Sequence, residues 1–350
     1  TDILFEAPNV KLVALFGPEH GVRGDAHAGD EVGNQKDPGT GLPVYSLYGA
    51  TRKATPEMLK DIDVLVYDIQ DIGSRSFTYI STMGLAMEAA AENNIDFVVL
   101  DRPNPLGGLK VEGNLAEDGF LSFVSQFKIP YLYGLTCGEL ANFLNDEGMT
   151  AKKCKLSVVK MEGWKRDMNY EATGLQWIPS SPHVPHPFSP YFYSATGILG
   201  ELYYVSIGVG YTTPFQIFAA EWIDAEKFAK NMNALKLPGV IFRPIHIKPY
   251  YSTSSGIQIH GVQIHITDFK ALAITDMQFY AMQVLFEMYP EKKIFNESTG
   301  GRFRMFDQVC GSDQIRLKFS ERYKFEDIRD YWYKDVDSFK QKSKKYWLYK

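Results

Sequence analysis

Three short apolar runs in the first hundred residues, Lys11–Phe16, Asp63–Tyr67 and Phe97–Leu100, each break off into a cluster of charged and polar side chains. Helical patterns follow between such runs, and this alternation specifies an α/β fold with a parallel sheet. In open parallel sheets, ligands bind beyond the carboxyl ends of the strands. The three clusters therefore converge on one expected site. They are Gly17-Pro18-Glu19-His20-Gly21-Val22-Arg23, Asp68-Ile69-Gln70-Asp71-Ile72-Gly73-Ser74-Arg75 and Asp101-Arg102-Pro103-Asn104-Pro105.

The loop Gly17–Gly41 is long for a compact domain, and loops of that length are usually functional. A short strand is expected at Val44–Leu47. Thr55 and Pro56 supply a cap and an N1 proline for a helix over Pro56–Ile62. A longer helix is expected over Thr78–Asn93, and a third over Thr136–Asn145, where Thr136 and Glu139 have capping-box spacing. Lys155–Met161 reads as one more strand. Prolines exclude a helix from Trp177–Pro187. Later helices are expected at Ser194–Tyr204, Glu226–Leu235, Thr275–Tyr289 and Phe325–Lys345, with alternating strand character over Ile257–Ile266. At 350 residues the chain exceeds the usual limit of one core. The expected organisation is a Rossmann-like α/β domain over 1–150 carrying the catalytic loops, and a second, smaller α+β domain over 151–350 closing a cleft.

Composition excludes several classes of function. The net charge is −5 and the basic residues are dispersed, so no nucleic-acid footprint is expected. No apolar run reaches the length of a membrane span. Cys137, Cys154 and Cys310 are too few for a disulfide framework or zinc cage. His20, Asp25, His27 and Asp30 match neither a helical His pair nor a carboxylate cage, so neither a metal nor another cofactor is expected. His260 and His265 have opposite parity in their strand and do not pair. Nucleophile-elbow and phosphate-loop motifs are lacking. Aromatic content of 14% offers platforms for sugars.

Glycoside hydrolysis typically needs one carboxyl group to protonate the leaving oxygen and a second to act as base or nucleophile. Glu19, between a proline and glycines, is the first candidate acid, with His20 as a tuning partner. Asp68, Asp101 and Glu112 are candidates for the second carboxylate. Arg23, Gln70, Ser74, Arg75, Tyr79, Arg102 and Asn104 are candidate sugar-binding groups, Arg75 and Tyr79 lying where a helix N-terminus favours anions. Simple structural readings compete: a Glu19–Arg23 pair, an Asp71–Arg75 pair, an Asp101–Arg102 pair, and a capping role for Glu139.

In this order the segments Leu15–Gly24, Asp68–Tyr79, Asp101–Pro105 with Val111-Glu112-Gly113, Gly134–Ala141 and Trp177–Pro185 resemble the YbbC-like family of bacterial exo-β-N-acetylmuramidases. The resemblance implies a Rossmann-like domain, a smaller C-terminal domain and an active site in the cleft between them. It implies release of N-acetylmuramic acid from the non-reducing end of peptidoglycan fragments, in cell-wall recycling, with Glu19 at the position of the family's Gly-Pro-Glu-His-Gly glutamate. The substrate would be a muropeptide or disaccharide, and the location periplasmic or at the cell surface. Tyr131, Tyr133, Trp177, Ser181 and His183 join the candidate substrate-binding set. Three departures stand out. Tyr131-Leu132-Tyr133-Gly134 replaces a His-Arg-His-Gly segment, and Ser206-Ile207-Gly208-Val209-Gly210 replaces Ser-Glu-Gly-Arg-Gly. The family also usually carries a further strand ahead of Thr1. A non-catalytic sugar- or muropeptide-binding protein on the same fold is the alternative expectation.

Overall fold

The computed structural model describes residues 1–30, 33–252, 254–297 and 302–350. Helix α1 (Asp2–Glu6) leads to β1 (Leu15–Gly17), which pairs in parallel with β3 (Pro43–Ser46). The two-residue strand β2 (Gln35–Lys36) pairs antiparallel with β3. A second sheet is wholly parallel, with β4 (Val64–Tyr67), β5 (Asp96–Leu100) and β6 (Leu156–Val159) side by side in chain order. Helix α2 (Tyr79–Glu92) connects β4 to β5, and α3 (Cys137–Asp146) lies between β5 and β6 in the chain. Small side chains let α2 pack closely: a Cβ at Gly84 would collide with the ring of Phe127. The sheet, α2 and α3 share a core of Leu65, Phe97, Val99, Met83, Met87, Leu140 and Phe143.

The chain then forms α4 (Ser189–Gly200), β7 (Ile217–Ala220), α5 (Ala225–Ala234), β8 (Val240–Ile247) and β9 (Ile259–Ile266). These three strands make an antiparallel sheet in the order β7-β9-β8. Helices α6 (Asp276–Met288), α7 (Ile294–Glu297), α8 (Phe303–Cys310), α9 (Gln314–Arg322), α10 (Glu326–Tyr333) and α11 (Val336–Ser343) complete the chain. The larger core takes Ile72, Phe77, Tyr131 and Leu132 from the N-terminal half and packs them against Ala195, Ile198, Met277 and Trp332. Val336 and Phe339 of α11 return to the first core. The two halves are therefore packed together through shared apolar side chains. None of the described helices is long and apolar enough to cross a membrane.

Most expected elements are present with ends shifted by one or two residues, but two differ in kind. Pro56–Ile62 is a series of turns. Leu59 N bonds Thr55 O, but the next bonds, Lys60 N to Glu57 O and Ile62 N to Leu59 O, span only three residues, and Asp61 is left-handed at φ 63°. So short a segment does not offset the cost of nucleating a helix. The single helix expected over Phe325–Lys345 is divided into α10 and α11, because Asp335 begins a new helix while its carboxylate accepts from Leu115 N at 3.0 Å. Helix α4 starts five residues before the expected Ser194. The expected parity of His260 and His265 fits β9, yet His260 has a partner in the register: it sits opposite His246 of β8, with their Nδ1 atoms 2.7 Å apart.

Candidate active site

Beyond β1 the chain turns at Pro18, where Gly21 N donates to Pro18 O at 2.9 Å and His20 takes a left-handed conformation with φ 71°. That turn presents Glu19 toward Thr78, which immediately precedes α2. Thr78 Oγ1 donates to Glu19 Oε2 at 2.6 Å, and Gly29 N to Oε1 at 3.3 Å. Tyr48, just past β3, lies near enough to feel the charge of this carboxylate. Burial, reinforced by the adjacent negative charge, pushes the Tyr48 hydroxyl up to about 12, so it stays protonated as a donor at neutral pH. The ends of β1 and β3 and the start of α2 thus meet at one carboxylate. His20 is buried beside Phe77 and Tyr79 and bonds Ala26 O through Nδ1 at 2.8 Å. It braces the loop; Thr78 and Gly29 are the groups bonded to Glu19.

A second carboxylate, missed in the sequence, stands within electrostatic reach of Glu19. Glu201 follows α4, and Arg302 Nη2 binds its Oε2 at 2.7 Å while stacking over Tyr203 at 4.0 Å. Burial raises the Glu201 carboxyl, Arg302 pulls it back, and the charge of Glu19 adds to the rise. The sequence signal was a lone carboxylate in the apolar run Ile198–Val205, a pattern equally common in a helix end with no function.

The other expected carboxylates have their lone pairs occupied by the fold. Asp101 accepts from Gly138 N at 2.8 Å, Arg102 N at 3.0 Å, Thr136 Oγ1 at 2.7 Å and Tyr349 Oη at 2.6 Å, so it secures the start of α3. Glu112 accepts from Ile274 N at 3.1 Å and from Thr275 N and Oγ1, both at 2.8 Å, securing the start of α6. Asp68 forms a half-exposed ion pair with Arg102 at 2.6 Å, in place of the expected Asp101–Arg102 pair. Asp71 turns inward, accepting from Gly73 N at 2.7 Å and from the Tyr133 hydroxyl, and burial raises it to about 6. Its partner is Tyr133 and not Arg75. Glu139 completes the capping box and binds buried Arg166 at 2.7 Å.

Several expected sugar-binding side chains are likewise internal. Arg75 is fully buried and donates to Ser125 Oγ and to the carbonyls of Asn114, Ile129 and Val309. Ser74 Oγ bonds Ser194 Oγ at 2.6 Å, and Asn104 bridges Leu135 O and Leu106 N. Tyr131 is buried, accepting from Ser76 Oγ at 3.1 Å. Arg23 is paired with Asp37, not Glu19. Gln70 Nε2 donates to the carbonyls of Asp71 and Pro103. Tyr79 donates to Ser180 O, and Trp177 Nε1 to Val184 O at 2.9 Å, so both shape the Trp177–Pro187 loop in which Ser181 is buried.

His183 lies at the rim of that loop, its Nε2 2.7 Å from Tyr251 Oη and its ring 5.8 Å from that of His27. Gly210, at φ +96°, lies so close to Tyr251 O that no side chain fits there. The apolar residues at the departures are packed inward: Leu132 is fully buried, and Ile207 and Val209 pack against the larger core.

Residues 1–188 match the family described as Exo-beta-N-acetylmuramidase NamZ, N-terminal, and residues 191–349 match its C-terminal counterpart. The chain is 45% identical over 348 residues to the Peptidoglycan beta-N-acetylmuramidase NamZ of Bacillus subtilis (strain 168), covering 99% of this chain and 82% of that protein. It is also similar to crystal structures of two DUF1343 family proteins from Bacteroides fragilis NCTC 9343. One is 67% identical with a TM-score of 0.95 and the other 26% identical with a TM-score of 0.75, each over 100% of this chain and 89% of theirs. Matched along nearly its whole length, with Glu19 presented at the end of a parallel strand, the chain belongs to the NamZ exo-β-N-acetylmuramidase family.

Proposed function

We propose that this chain is an exo-acting glycosidase that releases N-acetylmuramic acid from the non-reducing end of peptidoglycan fragments. The observation that carries the reading is Glu19, whose Oε2 accepts from Thr78 at 2.6 Å while Oε1 takes a longer 3.3 Å bond from Gly29 N. That leaves Oε1 as the oxygen that faces substrate and delivers the proton to the glycosidic oxygen. Glu201 is the second carboxylate. Burial raises its carboxyl and so favours its taking a proton from an attacking water, with Arg302 pulling the other way.

The succession β4-α2-β5-α3-β6, parallel and in chain order, supports reading the N-terminal unit as Rossmann-like, with the C-terminal unit closing the cleft. The substrate's location supports export to the periplasm or cell surface. The test is digestion of defined muropeptides with the product identified by mass spectrometry. Free N-acetylmuramic acid supports the assignment; binding without turnover would replace it with a sugar-binding protein.

A further inference from the structure

N-Acetylmuramic acid differs from N-acetylglucosamine by a lactyl ether that carries a carboxylate, so an enzyme selective for it needs a cation near the reacting sugar. Four of the arginines considered are already committed. Arg75 is fully buried on carbonyls, Arg23 is paired with Asp37, Arg102 with Asp68 and Arg302 with Glu201. Arg52 is different. It is exposed, its guanidinium carbon lies 4.5 Å from the centroid of the Phe123 ring, and no ion pair joins it to a carboxylate among the described residues. The Phe123 ring packs against Tyr48 at 6.0 Å between centroids, and Tyr48 in turn lies within electrostatic reach of Glu19. Arg52, Phe123, Tyr48 and Glu19 therefore form one continuous wall. A guanidinium lying on an aromatic face is held in place, and its in-plane N–H groups stay free for a bidentate carboxylate.

We infer that Arg52 binds the lactyl carboxylate of the muramyl residue whose glycosidic oxygen is presented to Glu19, and so sets selectivity for muramic acid over glucosamine. The inference rests on the glycosidase reading for its substrate, but the two can fail separately. The experiment compares wild type with Arg52→Gln and Arg52→Lys in two assays. Calorimetry measures binding of free N-acetylmuramic acid and N-acetylglucosamine, and steady-state kinetics follow a chromogenic β-N-acetylmuramide. Loss of a charge-assisted bidentate contact in Arg52→Gln should weaken N-acetylmuramic acid binding and raise KM about ten- to hundredfold. The value of kcat should stay within about threefold, because the contact is made equally in ground and transition states. Arg52→Lys should recover part of the loss, and N-acetylglucosamine binding should not change. Equal affinity of wild type and Arg52→Gln for N-acetylmuramic acid would overturn the assignment, as would failure of wild type to bind that sugar. Binding that depends on Arg52 in a wild type without turnover would uphold the assignment and overturn the glycosidase reading.

Discussion

With Glu19 proposed as the acid and Glu201 as the base, the two roles separate by leaving group. A nitrophenolate departs without protonation, so Glu19→Gln should lose far more activity on a natural disaccharide than on a nitrophenyl β-N-acetylmuramide. Glu201→Gln should lose about 10²-fold or more on both, the range of a removed acid–base group. Equal losses for Glu19→Gln on the two substrates would remove it from the acid role. Asp71, buried on Gly73 N and the Tyr133 hydroxyl, should act on stability. Its carboxyl is raised to about 6 by burial, against about 3.9 in an unfolded chain, so the folded state holds the proton more tightly. That contribution is complete below about pH 4 and is lost as pH rises through about 6, a change of roughly 2–3 kcal/mol. Relative to wild type, Asp71→Asn should therefore be insensitive to this window in denaturant titrations. Parallel stability curves from pH 4 to 7 would contradict the buried, ionisable Asp71.

Among the elements, two of the four carboxylates that the sequence offered for catalysis are helix anchors. Asp101 takes up donors at the start of α3 and Glu112 those at the start of α6. Asp101→Asn and Glu112→Gln should each cost about 1–3 kcal/mol of stability, because buried donors lose part of their charged acceptor. Both should keep kcat within a few-fold of wild type in assays below their melting temperatures. A folded Glu112→Gln variant without turnover would return Glu112 to the active site. Much of the element order was legible in the sequence: the strands before residue 160 other than β2, the Thr136–Glu139 cap and α2, α3, α5 and α6 follow from local pattern. The destination of the strand-end polar residues was not, because Asp101 and Glu112 are bonded to groups 35 or more residues away in the chain. Glu201 was missed for the same reason, since its neighbours Arg302 and Glu19 are distant in sequence.

Across the whole molecule, Arg75 is the side chain that joins the loop before α2 to Ser125, Asn114, Ile129 and, at the end of α8, Val309. Desolvation lowers its guanidinium to about 10, but it remains charged at neutral pH because carbonyl oxygens surround it. Arg75→Met removes a charge and leaves those carbonyls unpaired, so it should destabilise the fold by about 3 kcal/mol or more. A melting temperature equal to wild type would contradict the buried hub. From sequence, an arginine at a strand exit next to a helix N-terminus read equally well as an anion site; only the packing of both halves around it decides. A site built around Glu19 is proposed to cleave muramyl glycosides. This is tested most directly by turnover of a muropeptide disaccharide with wild type and Glu19→Gln, alongside their melting temperatures. Wild type should release N-acetylmuramic acid, and Glu19→Gln should lose that release with an unchanged melting temperature. Full activity in Glu19→Gln would contradict the proposal.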